Sequence, residues 1–135
     1  MDTRFSQDQL ALRQELRDYF TSLMSPEKVE ACMGKEGGPI FRNLVEQLGK
    51  DGMLTLGWPE HYGGKNYTAI EQLILFEEAW KTHTPFPLIT LNSVAPSLMA
   101  FGTDEQKEYF LPQISAGKCI FAIGYTEPGS GTDLA

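Results

Sequence analysis

The sequence predicts an all-α fold: a helical bundle over residues 1–118, followed by one trailing β-strand and its loop over residues 119–135. Three observations carry this. Apolar residues recur at helical spacing in most of the chain. Three of the periodic runs open on a capping box, Ser6…Gln9, Thr68…Glu71 and Thr103…Gln106, in which a hydroxyl and a side chain three residues on satisfy two otherwise orphaned amides. Only Ile120-Phe121-Ala122-Ile123, at the far end, reads as a short apolar strand.

The first helix follows Ser6 and sets Leu12, Leu16, Tyr19, Phe20 and Leu23 on one face. It runs to about Met24 and stops at Ser25-Pro26, because the residue before proline is steered out of the helical region. Residues 27–38 read as a connector, charged at first and then marked by Gly34, Gly37 and Gly38. Pro39 suits the first position of a second helix, where its missing N–H costs nothing, and Phe41, Leu44, Val45 and Leu48 supply the stripe up to Gly52.

Residues 53–64 are too apolar for a solvated loop and too rich in Gly and Pro for a helix. They predict an ordered loop anchored by Trp58 and Tyr62. The helix after Thr68 carries Ile70, Leu73, Ile74, Phe76, Ala79 and Trp80 almost all round, which predicts a central position buried on more than one side. Glu77 and Glu78 sit within that surface. Neighbouring residues on a helix point about 100° apart, so the two cannot converge on one atom; one is expected to be solvated and the other structural. Thr84-Pro85-Phe86-Pro87 breaks the helix. The next runs from about Leu88 to Phe101 with Leu88, Leu91, Val94, Ala95, Leu98 and Phe101 as its stripe, loosened by Pro96. The last, opened by Thr103, packs through Tyr109, Phe110 and Ile114 and is capped by Gly117.

Bulk properties narrow the function. A chain of 135 residues suits one core, and 41% hydrophobic with 21% charged residues is an ordinary globular composition. A net charge of −7 argues against nucleic acid as a partner. No apolar run reaches the roughly 20 residues of a membrane span, and Met1-Asp2-Thr3-Arg4 does not begin a signal peptide, so a cytoplasmic protein is expected. Cys32 and Cys119 lie far apart without a second ligand at metal spacing and read as reduced thiols; no metal site is expected. His61 and His83 lack an orienting acid and read as loop or surface residues.

The closing stretch holds the chemistry. After the strand, Thr126-Glu127-Pro128-Gly129-Ser130-Gly131-Thr132 turns into a loop of small residues. Glycine permits positive φ and a close approach of backbone N–H groups to an anion, while Thr126 and Thr132 add hydroxyls. Such a turn suits a phosphate-bearing cofactor, although most small-residue turns after a strand are only turns. Gly124-x-Thr126-Glu127-Pro128-x-x-Gly131-Thr132-Asp133 resembles a signature of the acyl-CoA dehydrogenases. So, in the same order, do Gly57-Trp58-Pro59-Glu60-x-Tyr62-Gly63-Gly64, Phe76-Glu77-Glu78-Ala79 and Gly102-Thr103-Asp104-Glu105-Gln106-Lys107-x-x-Phe110-Leu111-Pro112. The resemblance covers essentially the whole chain. Tyr125, where many members carry a small aliphatic residue, resembles the actinobacterial branch acting on bulky acyl-CoAs such as sterol side chains.

The resemblance implies an N-terminal helical domain over 1–118 and, over 119–135, the first strand and FAD-contacting loop of a middle β domain that continues beyond this chain. It implies a flavoprotein of lipid metabolism that converts an acyl-CoA thioester to the 2-enoyl-CoA and passes electrons to an electron-transfer flavoprotein, as a homo- or hetero-oligomer. Ile123, Tyr125 and Thr126 match positions facing the flavin, and Gly131 and Thr132 those near the pyrophosphate and entering acyl-CoA. Glu127 and Asp133 are expected to hold the loop's shape. Asn92 and Ser93 fall on the helix that lines the acyl pocket in the family, where polar or small side chains would widen it; a hydrogen bond to neighbouring backbone is the plainer account. No catalytic residue is expected here, since the family's carboxylate base comes from beyond Ala135. An acyl-CoA oxidase, a non-catalytic subunit and a helical interaction module are the alternatives.

Overall fold

The structure, a computed structural model, describes residues 5–129 and residue 131. Six α-helices follow one another: α1 (Gln7–Leu23), α2 (Pro26–Cys32), α3 (Pro39–Lys50), α4 (Ala69–Lys81), α5 (Ala95–Phe101) and α6 (Asp104–Ser115). A short 3₁₀ turn (Glu60–Tyr62) lies between α3 and α4, and a π-turn (Thr90–Val94) leads into α5. All three capping boxes form as the sequence predicts. Both α3 and α6 are followed by a glycine at positive φ, Gly52 and Gly117, with the next amide reaching back five residues to a carbonyl of the last turn (Met53 N to Leu48 O, Lys118 N to Gln113 O).

The core gathers one face from each main element: Leu16 and Phe20 of α1, Val45 and Leu48 of α3, Ile74, Leu75 and Ala79 of α4, Leu91 and Ala95, and Leu111 and Ile114 of α6. The loop after α3 closes it with Leu54, Leu56 and the buried Trp58, and the partly buried Tyr62 packs alongside. Phe86 meets Phe20 and Phe76 edge-on at 5.9 and 5.7 Å, so the proline-rich break after α4 is packed rather than solvated.

Several expectations need correction. The connector contains a helix, α2: Ser25 caps it and Pro26 is its first residue, so the pair that ends α1 also starts α2. It buries none of its residues, which is why no apolar stripe announces it. Helix α4 is not buried all round. Its Ile74–Leu75–Glu78–Ala79 face meets α1 and the core, while Ile70, Leu73 and Trp80 are 49%, 52% and 76% exposed. On α6 the core position belongs to Leu111, and Tyr109 stands outside against Phe110. Phe101 and Leu88 are exposed, and the buried face of their segment is Thr90, Leu91 and Ala95. The proline effect is specific. Pro96 has no N–H to return to Asn92, and just before it the ladder widens so that the Ala95 N–H reaches Thr90 O, five residues back. Residues 118–126 run extended without a ladder, and only Glu127 makes an isolated bridge.

Candidate functional site

Two features meet around the π-turn. The first is an open groove of about 480 Å³ between α4 and the π-turn, walled by Leu73, Phe76 and Leu91 with Trp58 at its base; Gln72 and Asn92 are its polar groups. Gln72 is held there by donating its amide N–H to Tyr67 O at 2.8 Å. Asn92 thus lies on the groove. Ser93, one residue on, opens instead to a separate, mostly apolar depression of about 380 Å³ between α5 and α6, with Leu98, Phe101 and Gln106. The helical offset of adjacent residues sends the two side chains to different surfaces.

The second feature is the tail. Lys118 and Cys119 donate their amides to Gln113 O, at 2.9 and 3.2 Å, which folds the chain back over the end of α6. Phe121 packs its ring on Phe110 at 5.5 Å. Its backbone is held at both polar atoms by one side chain: its N–H donates to Thr90 Oγ1 at 2.8 Å, and the Thr90 hydroxyl lies 3.4 Å from its carbonyl oxygen. From Ala122 to Gly129 the chain stands clear of the body. Ile123 and Tyr125 are 43% and 76% exposed, Gly124, Thr126 and Glu127 are exposed, and a Cβ built at Gly124 or Gly129 would meet nothing. Gly131 sits back against Thr126, whose methyl would lie 3.2 Å from an added Cβ. Thr132 and Asp133 lie outside the described residues.

The remaining candidates resolve into structural roles. Glu78 is 1% exposed and draws Arg17 at 3.0 Å, Lys81 at 2.7 Å and Arg13 at 3.4 Å; Glu77, on the solvent side, takes Arg13 at 2.6 Å. Burial pushes the Glu78 carboxyl up, but hydrogen bonds from Arg17 and Lys81 outweigh it and hold the group below the ordinary carboxylate value. This is a carboxylate locked ionised, unsuited to moving a proton at neutral pH. His61 lies against Tyr62 with the rings tilted and their centroids 4.1 Å apart, and His83 is an exposed residue at φ 54° in the turn after α4. Both cysteines are free thiols, and burial raises the pKa of Cys119, away from a reactive thiolate. Among the described residues no three His, Cys, Asp or Glu side chains could hold a metal, and no helix is long and apolar enough to cross a membrane.

The order of helices and the position of the extended tail can be compared with known proteins. Residues 6–118 match the family described as "Acyl-CoA dehydrogenase, N-terminal domain". The chain belongs to the acyl-CoA dehydrogenase family. Among its relatives is acyl-CoA dehydrogenase FadE26 of Mycobacterium tuberculosis, 50% identical over all of this chain and 35% of that protein. The crystal structure of the ChsE4-ChsE5 complex from the same organism superposes with a TM-score of 0.91 at 50% identity, over 99% of this chain and 34% of the other. A structure described as the Tcur3481-Tcur3483 steroid ACAD gives 0.92 at 48% identity, over 99% and 35%. The chain therefore spans about a third of the length of these relatives.

The family is FAD-dependent. The tail's chemistry fits one edge of such a cofactor: an exposed extended backbone able to donate and accept, a hydroxyl on the exposed Thr126, and apolar and aromatic faces at Ile123 and Tyr125. Sequence reasoning did not single out Thr90. The available signal was a hydroxyl on an otherwise apolar helical run, six residues before an interrupting proline.

Proposed function

We propose that this chain is the helical domain and first flavin-contacting segment of an FAD-dependent acyl-CoA dehydrogenase, with residues 119–135 opening its β domain. The enzyme would convert an acyl-CoA thioester to the 2-enoyl-CoA. A carboxylate outside this chain would take the α-proton, and bound FAD supplies the acceptor for the hydride lost from the β-carbon. Electrons would leave to an electron-transfer flavoprotein. The observation that supports this is a juxtaposition: the π-turn that walls the groove through Leu91 and Asn92 also holds the exposed tail through Thr90.

Within that reading each residue has a task. Leu73, Phe76 and Leu91 present an apolar wall to the acyl chain and exclude water. Asn92 offers the groove a donor and an acceptor, and Ser93 leaves the neighbouring depression wide. Ile123, Tyr125 and Thr126 would lie against the flavin ring, and Gly131 and Thr132 nearer the pyrophosphate. Bulky, sterol-type acyl-CoAs are the proposed substrate class, and an oligomer, with either a copy or an unlike chain, the proposed assembly. The identities near 50% to a steroid acyl-CoA dehydrogenase and to a chain of a two-protein complex favour both.

The test uses the full-length protein. Purified from cells it is expected to carry a visible flavin band, bleached anaerobically by a sterol-type acyl-CoA and restored by an electron-transfer flavoprotein without hydrogen peroxide. Peroxide formation in air at the rate of turnover would mark an oxidase instead, and a colourless protein would end the flavoenzyme reading.

A further inference from the structure

Thr90 is the most deeply buried hydroxyl in the described structure, with a relative exposure of 0%, and its use is unusual for a helical threonine. Threonine within a helix commonly turns its hydroxyl back to a carbonyl three or four residues earlier. Thr90 instead gives its hydroxyl to a segment 31 residues away, meeting both the N–H and the C=O of Phe121. The wide π-turn is built around the same residue, since the Ala95 amide reaches the Thr90 carbonyl. One residue thus joins the turn beside the groove to the tail: its carbonyl closes the turn, and its hydroxyl grips the chain.

We propose that Thr90 is a positioning residue for the cofactor segment, fixing the lateral register of residues 121–126 against the groove. The inference rests on the flavoenzyme reading given above. Among the described residues, Thr90 to Phe121 is the last hydrogen bond between the tail and the helical body, and everything from Ala122 to Gly129 is exposed. An extended chain repeats every second residue, so the register set at Phe121 passes to Ile123 and Tyr125 on the same side and to Gly124 and Thr126 on the other. A methyl in place of the hydroxyl leaves the part-buried Phe121 amide without its protein partner and frees the tail to shift along or away from the π-turn. The cofactor contacts would then have to be ordered at the moment of binding, which weakens association without removing any contact residue.

The experiment compares full-length wild type, Thr90→Val and Thr90→Ser. Thr90→Val keeps the shape and loses the hydroxyl; Thr90→Ser keeps the hydroxyl. For Thr90→Val, FAD affinity measured by flavin fluorescence on reconstitution of the apoprotein is expected to fall roughly ten-fold, the scale of losing one partner of a part-buried hydrogen bond. Its flavin band should change shape, and the spectral shift on adding a non-reacting acyl-CoA thioether should shrink. Thr90→Ser should restore all three. A residue serving stability alone would lower the unfolding temperature of Thr90→Val and leave flavin affinity and spectrum at wild-type values; that result overturns the proposal. A wild-type protein without flavin would overturn the functional reading and this proposal together, whereas normal wild-type flavin with an unaltered Thr90→Val overturns this proposal only.

Discussion

Glu78 holds a carboxylate at 1% exposure in the seam between α1 and α4, where it gathers Arg17, Lys81 and, more distantly, Arg13. An ion in that position must be fully paired, because desolvating it costs more than any one partner returns. Arg17 and Lys81 are about half exposed, so solvent screens them and the cluster contributes less than a wholly buried pair would. Replacing Glu78 by Gln is expected to destabilise the chain by about 2 kcal/mol in urea unfolding at neutral pH, mostly by leaving cations facing one another. The pH dependence follows from the depressed carboxyl. A group whose folded-state value lies below its unfolded one lends stability above the unfolded value, about 4.3 for Glu, and loses it as pH falls through the folded one. Wild type should therefore lose stability below about pH 4 more steeply than Glu78→Gln; parallel urea midpoints from pH 6 to pH 3 would refute the assignment. This residue's role was legible beforehand in outline, since adjacent helical positions cannot share a target. Which glutamate would be buried was not, because that depends on where α1 lies.

At the scale of elements, the starts marked by capping boxes were legible, as were the buried faces of α1 and α3, but the faces of α4 and α6 were not. A capping box is a local contract between residues three apart, so Ser6, Thr68 and Thr103 marked their helices without tertiary information. The burial of a face is set by neighbours distant in sequence, which is why α4 and α6 expose apolar residues that periodicity alone would bury. Helix α2 lacked an apolar stripe and passed for a connector. The packing of α3 on the end of α6 depends on two glycines. A Cβ on Gly49 would stand 2.4 Å from the Ala116 carbonyl carbon, and one on Gly117 would stand 2.3 Å from Val45 O. Gly117 also sits at φ 71°, which side chains adopt at a cost. Gly117→Ala is therefore expected to destabilise by roughly 2–4 kcal/mol, through strain plus a clash with rigid backbone. Gly34→Ala shares the positive φ but meets nothing within 4 Å, so it should cost only about 1 kcal/mol. Equal unfolding midpoints for the two variants would show that the helices separate easily and that close backbone contact is not what joins them.

For the whole molecule, the candidate site divides between what motifs can announce and what packing must create. The tail's glycines and threonines can be proposed as a cofactor segment from the sequence because they match a family signature in order and spacing. The groove was not readable, because its walls come from the loop after α3, from α4 and from the π-turn, and only folding brings Trp58, Leu73 and Asn92 together. The same division bears on the 135-residue chain by itself. It has a closed core, yet Trp80 at 76%, Phe101 at 89%, Tyr109 at 64% and Tyr125 at 76% exposure are large apolar or aromatic groups facing water. The proposed flavin-contacting segment makes no hydrogen bond back to the helices beyond Phe121 among the described residues. Affinity for a large cofactor needs contacts on several sides that are ordered before binding, and here one edge is offered. The isolated chain is accordingly expected to fold cooperatively, to bind an apolar dye such as ANS, and to purify without a stoichiometric flavin band. Added FAD should raise its unfolding temperature very little, since stabilisation follows the ratio of ligand to dissociation constant. A tightly held yellow cofactor on the 135 residues alone would mean that the helical body and tail make a complete site, and that the tail closes over the flavin instead of waiting for a second surface.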